Sequence, residues 1–161
     1  MRRLILALLL WLAPLAAQAQ TAANLIADRV EITADQRLIA SGNVEVFFQG
    51  TKLSASRIIY SQASDRLVIE GPIFILGPDG TILTAGRADL DPRLENGLLL
   101  GARMVLNQQL QLAANRIDRS SGRYTQLDRV AATSCSVCGD EEPLWEIRAR
   151  RVVHDQEARQ L

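Results

Sequence analysis

The stretch Leu53-Ser54-Ala55-Ser56-Arg57-Ile58 occurs in modified form five times along the chain, and it decides the fold. Each copy has an aliphatic residue, one intervening position, then Ala-x-Arg and a second apolar residue. The copies occupy 25–30, 53–58, 83–88, 112–117 and 147–152. The repeat alanines, Ala27, Ala55, Ala85, Ala114 and Ala149, are 28, 30, 29 and 35 residues apart. Such a period predicts one supersecondary unit stacked on copies of itself, which makes an elongated surface or channel.

The apolar positions change parity within a copy. Leu53 and Ala55 are odd-numbered, whereas Ile58 and Tyr60 are even-numbered. Neighbouring residues of a regular strand point to opposite faces, so both sets reach one interior only if an extra residue or a corner lies between them. We therefore predict a bulge or corner at each Ala-x-Arg step, from which the arginine leaves outward to water.

The sequence between the copies is typical of β-strands. Short alternating pieces such as Val44-Glu45-Val46 are separated by clusters of Gly, Pro, Ser and Asp. Gly42, Gly71 and Gly101 lie 15, 16 and 16 residues after their repeat alanine, which indicates a recurrent bend. The chain is predicted to be all-β.

A repeat of about 29 residues would extend to ~95 Å as one strand, so it must fold back into several short strands. Stacked repeats then form an elongated sandwich or a V-shaped antiparallel roll. Its interior is predicted to be lined by Val30, Ile32, Leu38, Val44, Val46, Ile58, Leu67, Ile69, Ile73, Ile75, Leu83, Leu98, Leu100, Met104, Leu106 and Leu112. This lining is compatible with a dry core or with a groove for an apolar guest, and periodicity alone favours the dry core.

Segments 20–33 and 145–161 are expected to form the two ends of the stack. An exposed terminal strand pairs with another chain unless it is blocked, and neither segment has a proline in its strand-like run. End-to-end strand pairing with a similar domain is therefore expected.

The N-terminus resembles a secretory signal. Arg2 and Arg3 precede an apolar run of about 12 residues, and Ala17-Gln18-Ala19 fits a signal-peptidase site, so residues 1–19 are predicted to be removed. The mature chain, 20–161, would carry 16 basic and 18 acidic side chains and has no basic patch, which argues against nucleic acid as a partner.

The segment Thr133-Ser134-Cys135-Ser136-Val137-Cys138 is the one chemically marked stretch. A thioredoxin-like site would need an activated thiol, and the acids that follow would raise a thiol pKa. Two cysteines with His154 do not complete a zinc site. A structural disulfide is favoured, either between Cys135 and Cys138 or from each to a partner outside the chain. No catalytic set, metal site or cofactor motif is recognised, and His154 is interpreted as a polar strand-end residue.

The run Ala132-Thr133-Ser134-Cys135, followed by Pro143-Leu144-Trp145-Glu146-Ile147 and His154-Asp155-Gln156-Glu157, resembles the segment that joins the periplasmic domain to the barrel in the LptD (OstA) family of lipopolysaccharide-assembly proteins. The resemblance covers essentially the whole mature chain. It implies a periplasmic β-jellyroll, open along one side, through which lipopolysaccharide passes to an outer-membrane barrel.

By this resemblance the interior is a lipid-binding groove rather than a dry core. Its candidate lining residues are Val30, Ile32, Val44, Val46, Ile58, Ile69, Ile73, Leu83, Leu100 and Leu106. The implied partners are lipopolysaccharide, a periplasmic bridge protein joined by strand pairing, and the barrel with its plug lipoprotein.

The resemblance also assigns Cys135 to the family cysteine that pairs with one near the end of the barrel, which is not part of this chain. Without a barrel, a Cys135–Cys138 bond or two free thiols would be expected. The function expected from the resemblance is non-enzymatic lipopolysaccharide transport. The alternatives are a free periplasmic bridge protein of the same system, a thiol-disulfide oxidoreductase that uses Cys135 and Cys138, and an inert scaffold with a closed core.

Overall fold

A computed structural model describes residues 23–106, 109–134 and 143–161. Within these ranges the chain forms ten β-strands, and no helix there is long and apolar enough to cross a membrane. The strands are β1 (Asn24–Ile26), β2 (Arg29–Ile32), β3 (Arg37–Phe48), β4 (Thr51–Ser61), β5 (Arg66–Leu76), β6 (Ile82–Leu90), β7 (Gly97–Leu106), β8 (Leu110–Ser120), β9 (Tyr124–Thr133) and β10 (Ile147–Asp155). The predicted all-β class is confirmed.

All the strands belong to one antiparallel sheet with the order β1-β3-β4-β5-β6-β7-β8-β9-β10, and β2 also pairs with β3. Leu25 in β1 is opposite Val46, and Val30 in β2 is opposite Ala40. The first Ala-x-Arg copy is therefore one strand interrupted between β1 and β2. As predicted, the N-terminal and C-terminal segments form the two ends of the stack.

The predicted corner at the Ala-x-Arg step is confirmed. In β4, Leu53 and Ala55 are buried, Ser56 is exposed, Arg57 is partly exposed, and Ile58 is buried again. Two consecutive residues thus leave the interior, and the buried positions change from odd to even. Strands β6 and β8 repeat this pattern at their own copies of the motif.

The partner strands bend at the same level. Two residues separate the buried positions in β7 and β9, but three do so in β3 and β5, around Gly42 and Gly71. This extra residue explains the register shifts between β3 and β4, between β4 and β5, and between β5 and β6. Pairings from β6 onward keep a constant register, because both partners change parity together.

The line of bends divides the sheet into two limbs. Limb A contains the halves that carry Leu53 and Ala55, and limb B contains the halves that carry Ile58 and Tyr60. Buried residues of both limbs belong to one apolar cluster. The sheet is therefore folded along the bends into a V-shaped roll, and the side opposite the bends, where the hairpin turns lie, is called the mouth.

Close backbone contact restricts the bend at Gly71. A Cβ on Gly71 would lie 2.6 Å from the carbonyl oxygen of Gly86 and 2.8 Å from that of Ala85. At Gly86 itself, in contrast, the nearest atom to a Cβ would be the Leu100 carbonyl oxygen at 3.8 Å. The two glycines lie on adjacent strands, but only the first requires the absence of a side chain.

Gly71→Ala is expected to lower the free energy of unfolding by about 1–3 kcal/mol, because backbone atoms of β6 must move away from the new methyl group. Gly86→Ala is the matched control, and its effect is expected to stay within about 0.5 kcal/mol. Urea unfolding followed by circular dichroism measures both. Equal midpoints for the two variants would contradict the close contact at the bend.

Candidate functional site

The interior consists of rows of side chains that cross the strands. The register continues from one strand to the next, so residues that face each other across successive pairings lie side by side along the stack. Each limb has a row beside the bend and a second row nearer the mouth, and limb A has further inward residues beyond its second row, such as Leu106. We call the first two rows the bend row and the mouth row of each limb.

The bend row of limb B is apolar along its whole length. It consists of Val30, Ala40, Ile58, Ile69, Ala88, Leu99, Ile117, Leu127 and Val152. From β3 to β9 these residues are at most 4% exposed. At ~4.8 Å per strand the row extends for about 40 Å.

Limb A presents two further rows to the same interior. Its mouth row consists of Leu25, Val46, Leu53, Ile75, Leu83, Met104, Leu112, Ala132 and Ile147. Its bend row contains Ala55, Ala85, Ala114 and Ala149, the repeat alanines of four copies. Because the alanine side chain is small, limb B can approach limb A closely beside the line of bends.

Most of the candidate groove residues lie in this interior. Val44, Ile58, Ile69, Ile73, Leu83 and Leu106 are buried in the apolar cluster, and Val46 packs against it. Val30 and Ile32 occupy inward rows, but they are 50% and 79% exposed because β2 is at the end of the sheet. Contact of any of these residues with lipid stays a prediction.

The inward placement expected for Leu98 and Leu100 is wrong. Leu100 is 43% exposed, whereas its neighbour Leu99 is fully buried. Leu98 lies opposite Asp89 and Asp118, on the outer face with Leu100. The two residues between the buried positions of β7 are Leu100 and Gly101, and the change of parity at this bend turns Leu100 outward.

Leu100 belongs to an outer row of charged residues. The row consists of Arg57, Glu70, Arg87, Leu100, Arg116, Asp128 and Arg151. Arg57 is 3.7 Å from Glu70, and Arg151 is 3.1 Å from Asp128. The repeat arginines therefore leave outward, as predicted, and the ion pairs of Arg57 and Arg151 are solvent-exposed pairs of the kind worth about 0–1 kcal/mol each.

Apolar side chains are exposed at both ends of the stack. At the first end Leu25 and Val30, which begin the limb A mouth row and the limb B bend row, are 36% and 50% exposed. At the other end Ile147, the last residue of the limb A mouth row, is 61% exposed. In the middle of the stack the limbs are closed against each other. The apolar rows are thus covered along their length and accessible at their ends.

Two cavities lie at the mouth. One has a volume of about 400 Å³ and lies between the turn at 77–81, the loop at 93–95 and Arg119 of β8. The other, of about 610 Å³, lies between Thr81, Gln109 and His154. Asp79, Thr81 and Gln156 line both cavities.

His154 lies near the end of β10, as the sequence suggested, but it is buried. Its side chain is 7% exposed, and Nδ1 has no hydrogen-bond partner in the described part of the chain. Burial lowers the pKa of His154, and Arg119 acts in the same direction, while Asp79 and Asp155 oppose the change. The neutral imidazole is the form that this environment favours.

The remaining sequence predictions fall outside the described residues. Cys135 and Cys138 lie in the segment 135–142, and the predicted signal peptide lies within 1–22. Their disulfide, redox and export roles therefore stay predictions. Among the described ranges there is no group of three or more His, Asp or Glu side chains placed to hold a metal ion.

Comparison with known proteins gives a structural match. Neither a protein-family model nor a curated protein sequence matches the chain. A solved structure that does match is LptH, the LptA-homologous periplasmic component of the conserved lipopolysaccharide transport device of Pseudomonas aeruginosa. The TM-score is 0.56 at 15% sequence identity, and the match covers 80% of this chain and 94% of that chain. The two chains share a fold. The predicted open β-jellyroll is thereby confirmed.

His154 is expected to make folding pH-dependent between pH 8 and pH 5. Since its folded-state pKa lies below the unfolded value of about 6.5, the unfolded chain binds the proton more tightly, and stability is lost as the pH falls through this range. Urea midpoints at several pH values measure the loss. His154→Gln should flatten the curve between these limits.

The chain has a single histidine, so an NMR titration of its imidazole protons reports this pKa directly. Parallel stability curves for the wild type and His154→Gln would contradict the prediction, as would a titration midpoint above about 6.5.

Proposed function

We propose that this chain is a non-enzymatic carrier of lipopolysaccharide in the periplasm, exported by its signal peptide. The observation that carries the proposal is the set of apolar rows that crosses the whole stack and ends in exposed apolar side chains. Acyl chains need a continuous hydrophobic surface to move along without entering water. The fold shared with a periplasmic component of a lipopolysaccharide transport device supports this function.

Loading requires the limbs to separate at the mouth. Among the described residues, no hydrogen bond or ion pair joins the turn at 77–81 to the loops at 91–96 and 121–123. Within the described ranges the limbs are continuous only through the bends, so opening the mouth breaks apolar contacts and leaves the strand ladders intact. An entering acyl chain replaces those contacts with equivalent ones, because both are nonspecific.

Two forms of lipopolysaccharide-transport protein are candidates for this chain. The motif that runs from Cys135 through Trp145 to His154-Asp155 favours the periplasmic domain of an LptD-type assembly protein, which passes lipopolysaccharide to a barrel and its plug lipoprotein. The match over nearly the whole length of LptH favours a free bridge protein as the alternative. Both forms use the same interior.

Photo-crosslinking tests the proposal at matched positions. Benzoylphenylalanine is placed at Val46 and at Leu67, which are partly buried in the mouth rows of limbs A and B. The purified protein is irradiated with lipopolysaccharide, and adducts are detected by immunoblotting. We expect adducts from both positions.

Leu100 is the control position, because it is an aliphatic residue of the same sheet that faces outward. Circular dichroism first establishes that each variant is folded. The absence of adducts from both inward positions would overturn the proposal, and so would equal labelling from Leu100.

We further propose that the ends of the sheet pair with a domain of the same fold. Strands β1 and β2 have no partner beyond them at one end, and β10 has none at the other among the described strands. The exposed Ile26 and Val153 lie on these edges. A partner strand would satisfy the free backbone groups and cover apolar side chains at once.

Lysine on either edge should prevent this pairing, because an ammonium group would have to be buried in the new contact. Ile26→Lys and Val153→Lys are each expected to abolish concentration-dependent association of the purified chain in sedimentation velocity. Leu76→Lys is the control, since Leu76 is similarly exposed but lies on β5 inside the sheet. Association that survives both edge changes would contradict the pairing, as would a wild-type chain that stays monomeric at its highest soluble concentration.

A further inference from the structure

The mouth row of limb B changes its chemistry along the stack. It consists of Ile32, Leu38, Tyr60, Leu67, Leu90, Gly97, Arg119, Thr125 and His154. The row is mainly apolar from β2 to β6 and polar from β8 to β10. Gly97 marks the change, and a Cβ there would be only 2.2 Å from the carbonyl oxygen of Asp89. One half of the mouth thus presents hydrogen-bonding groups to the interior.

Arg119 is the charged residue of this polar half. Its Nε is buried without a hydrogen-bond partner, and Arg119 forms no ion pair with the described residues. Burial lowers the pKa of Arg119, while Asp79, Asp91 and Glu95 act in the opposite direction from a distance. The residue as a whole is partly buried, and a guanidinium withdrawn from water is stabilised when acceptors occupy its fixed donor positions.

Two of the three carboxylates that act on Arg119, those of Asp79 and Asp91, are engaged in their own turns. Asp79 accepts hydrogen bonds from the backbone N–H of Thr81 at 3.1 Å and from the Thr81 hydroxyl at 2.8 Å. Asp91 accepts from the backbone N–H of Glu95 at 2.8 Å and from the Asn96 side-chain amide at 2.7 Å. These contacts fix both carboxylates and leave the Arg119 donor without an acceptor.

The cavity beside Arg119 joins the apolar interior to solvent. Ile75 and Leu83 line it, and both belong to the apolar cluster. The same cavity is also lined by a second arginine, by carboxylates and by an amide: Arg93, Asp79, Glu95, Glu157 and Gln156. A ligand here would meet apolar side chains, guanidinium groups, and carboxylate and amide acceptors in one cavity.

We propose that Arg119 binds the phosphate of an amphiphile head group whose acyl chain enters the interior past Ile75 and Leu83. The planar guanidinium matches the geometry of a phosphate, which accepts two parallel hydrogen bonds. Asp79 and Glu95 line the same cavity and would accept hydrogen bonds from hydroxyl groups of the head group, as a phosphorylated sugar provides. This inference rests on the proposed carrier function and assigns the part of the mouth at which the head group is held.

Calorimetric titration below the micelle concentration tests the site with three probes. Dodecyl phosphate carries a chain and a phosphate, dodecyl maltoside carries a chain and a neutral sugar head, and glucose 1-phosphate carries the phosphorylated sugar without a chain. Arg119→Gln should weaken dodecyl phosphate binding about tenfold or more and leave dodecyl maltoside binding unchanged. Arg119→Lys should also weaken it, because a single ammonium cannot replace the two parallel donors.

Arg103→Gln is the matched control, since Arg103 is exposed on the outer face of β7, and it should bind all three probes as the wild type does. Thermal unfolding of each variant establishes that it is folded. Unchanged dodecyl phosphate binding in Arg119→Gln would overturn the site while leaving the carrier function intact. Glucose 1-phosphate binding as tight as that of dodecyl phosphate would identify a site for a soluble anion and overturn the lipid assignment. Failure of the wild type to bind either amphiphile would contradict the carrier function itself.

Discussion

The interior depends on one constraint, the change of side-chain parity at the bend. A flat strand would send the apolar residues on the two sides of each Ala-x-Arg step to opposite faces, and a single sheet would then have two half-apolar faces and no core. Because two consecutive residues at the bend point outward, the apolar residues after the bend face the same side of the sheet as those before it. Strands β4 and β6 to β10 change parity in this way, whereas in β3 and β5 three residues lie between the buried positions, parity is unchanged, and the extra residue appears as a register shift. The bend is therefore the element that makes one sheet act as two.

Much of this architecture was predictable because it is repeated. Ala55 and Arg57 have counterparts in every copy, so one parity argument applied to all of them, and the position of the two terminal segments followed from the stacking. The jellyroll itself, and the choice of a groove over a dry core, came from the family resemblance rather than from periodicity. The structure confirms the fold, and it shows limbs that are closed in the middle of the stack.

What could not be predicted depends on register between strands. Leu98, Leu99 and Leu100 are consecutive aliphatic residues, and nothing in this run indicates which of them faces inward. The answer comes from the neighbouring strands, which place Leu100 in a row with Arg87 and Arg116. The placement of Arg119 and His154 in one row also depends on register. The two residues are 35 positions apart in sequence, and Thr125 on the strand between them pairs with both.

The repeat also has a geometric consequence for how such a molecule can change in length. Each repeat unit of two strands adds about 10 Å along the stack and one residue per strand to every row, and the cross-section between the limbs stays the same. Duplication or loss of a unit would therefore lengthen or shorten the interior without redesigning its walls. The side chains beside the bend set the width of the interior, and the number of copies of the Ala-x-Arg motif sets its length.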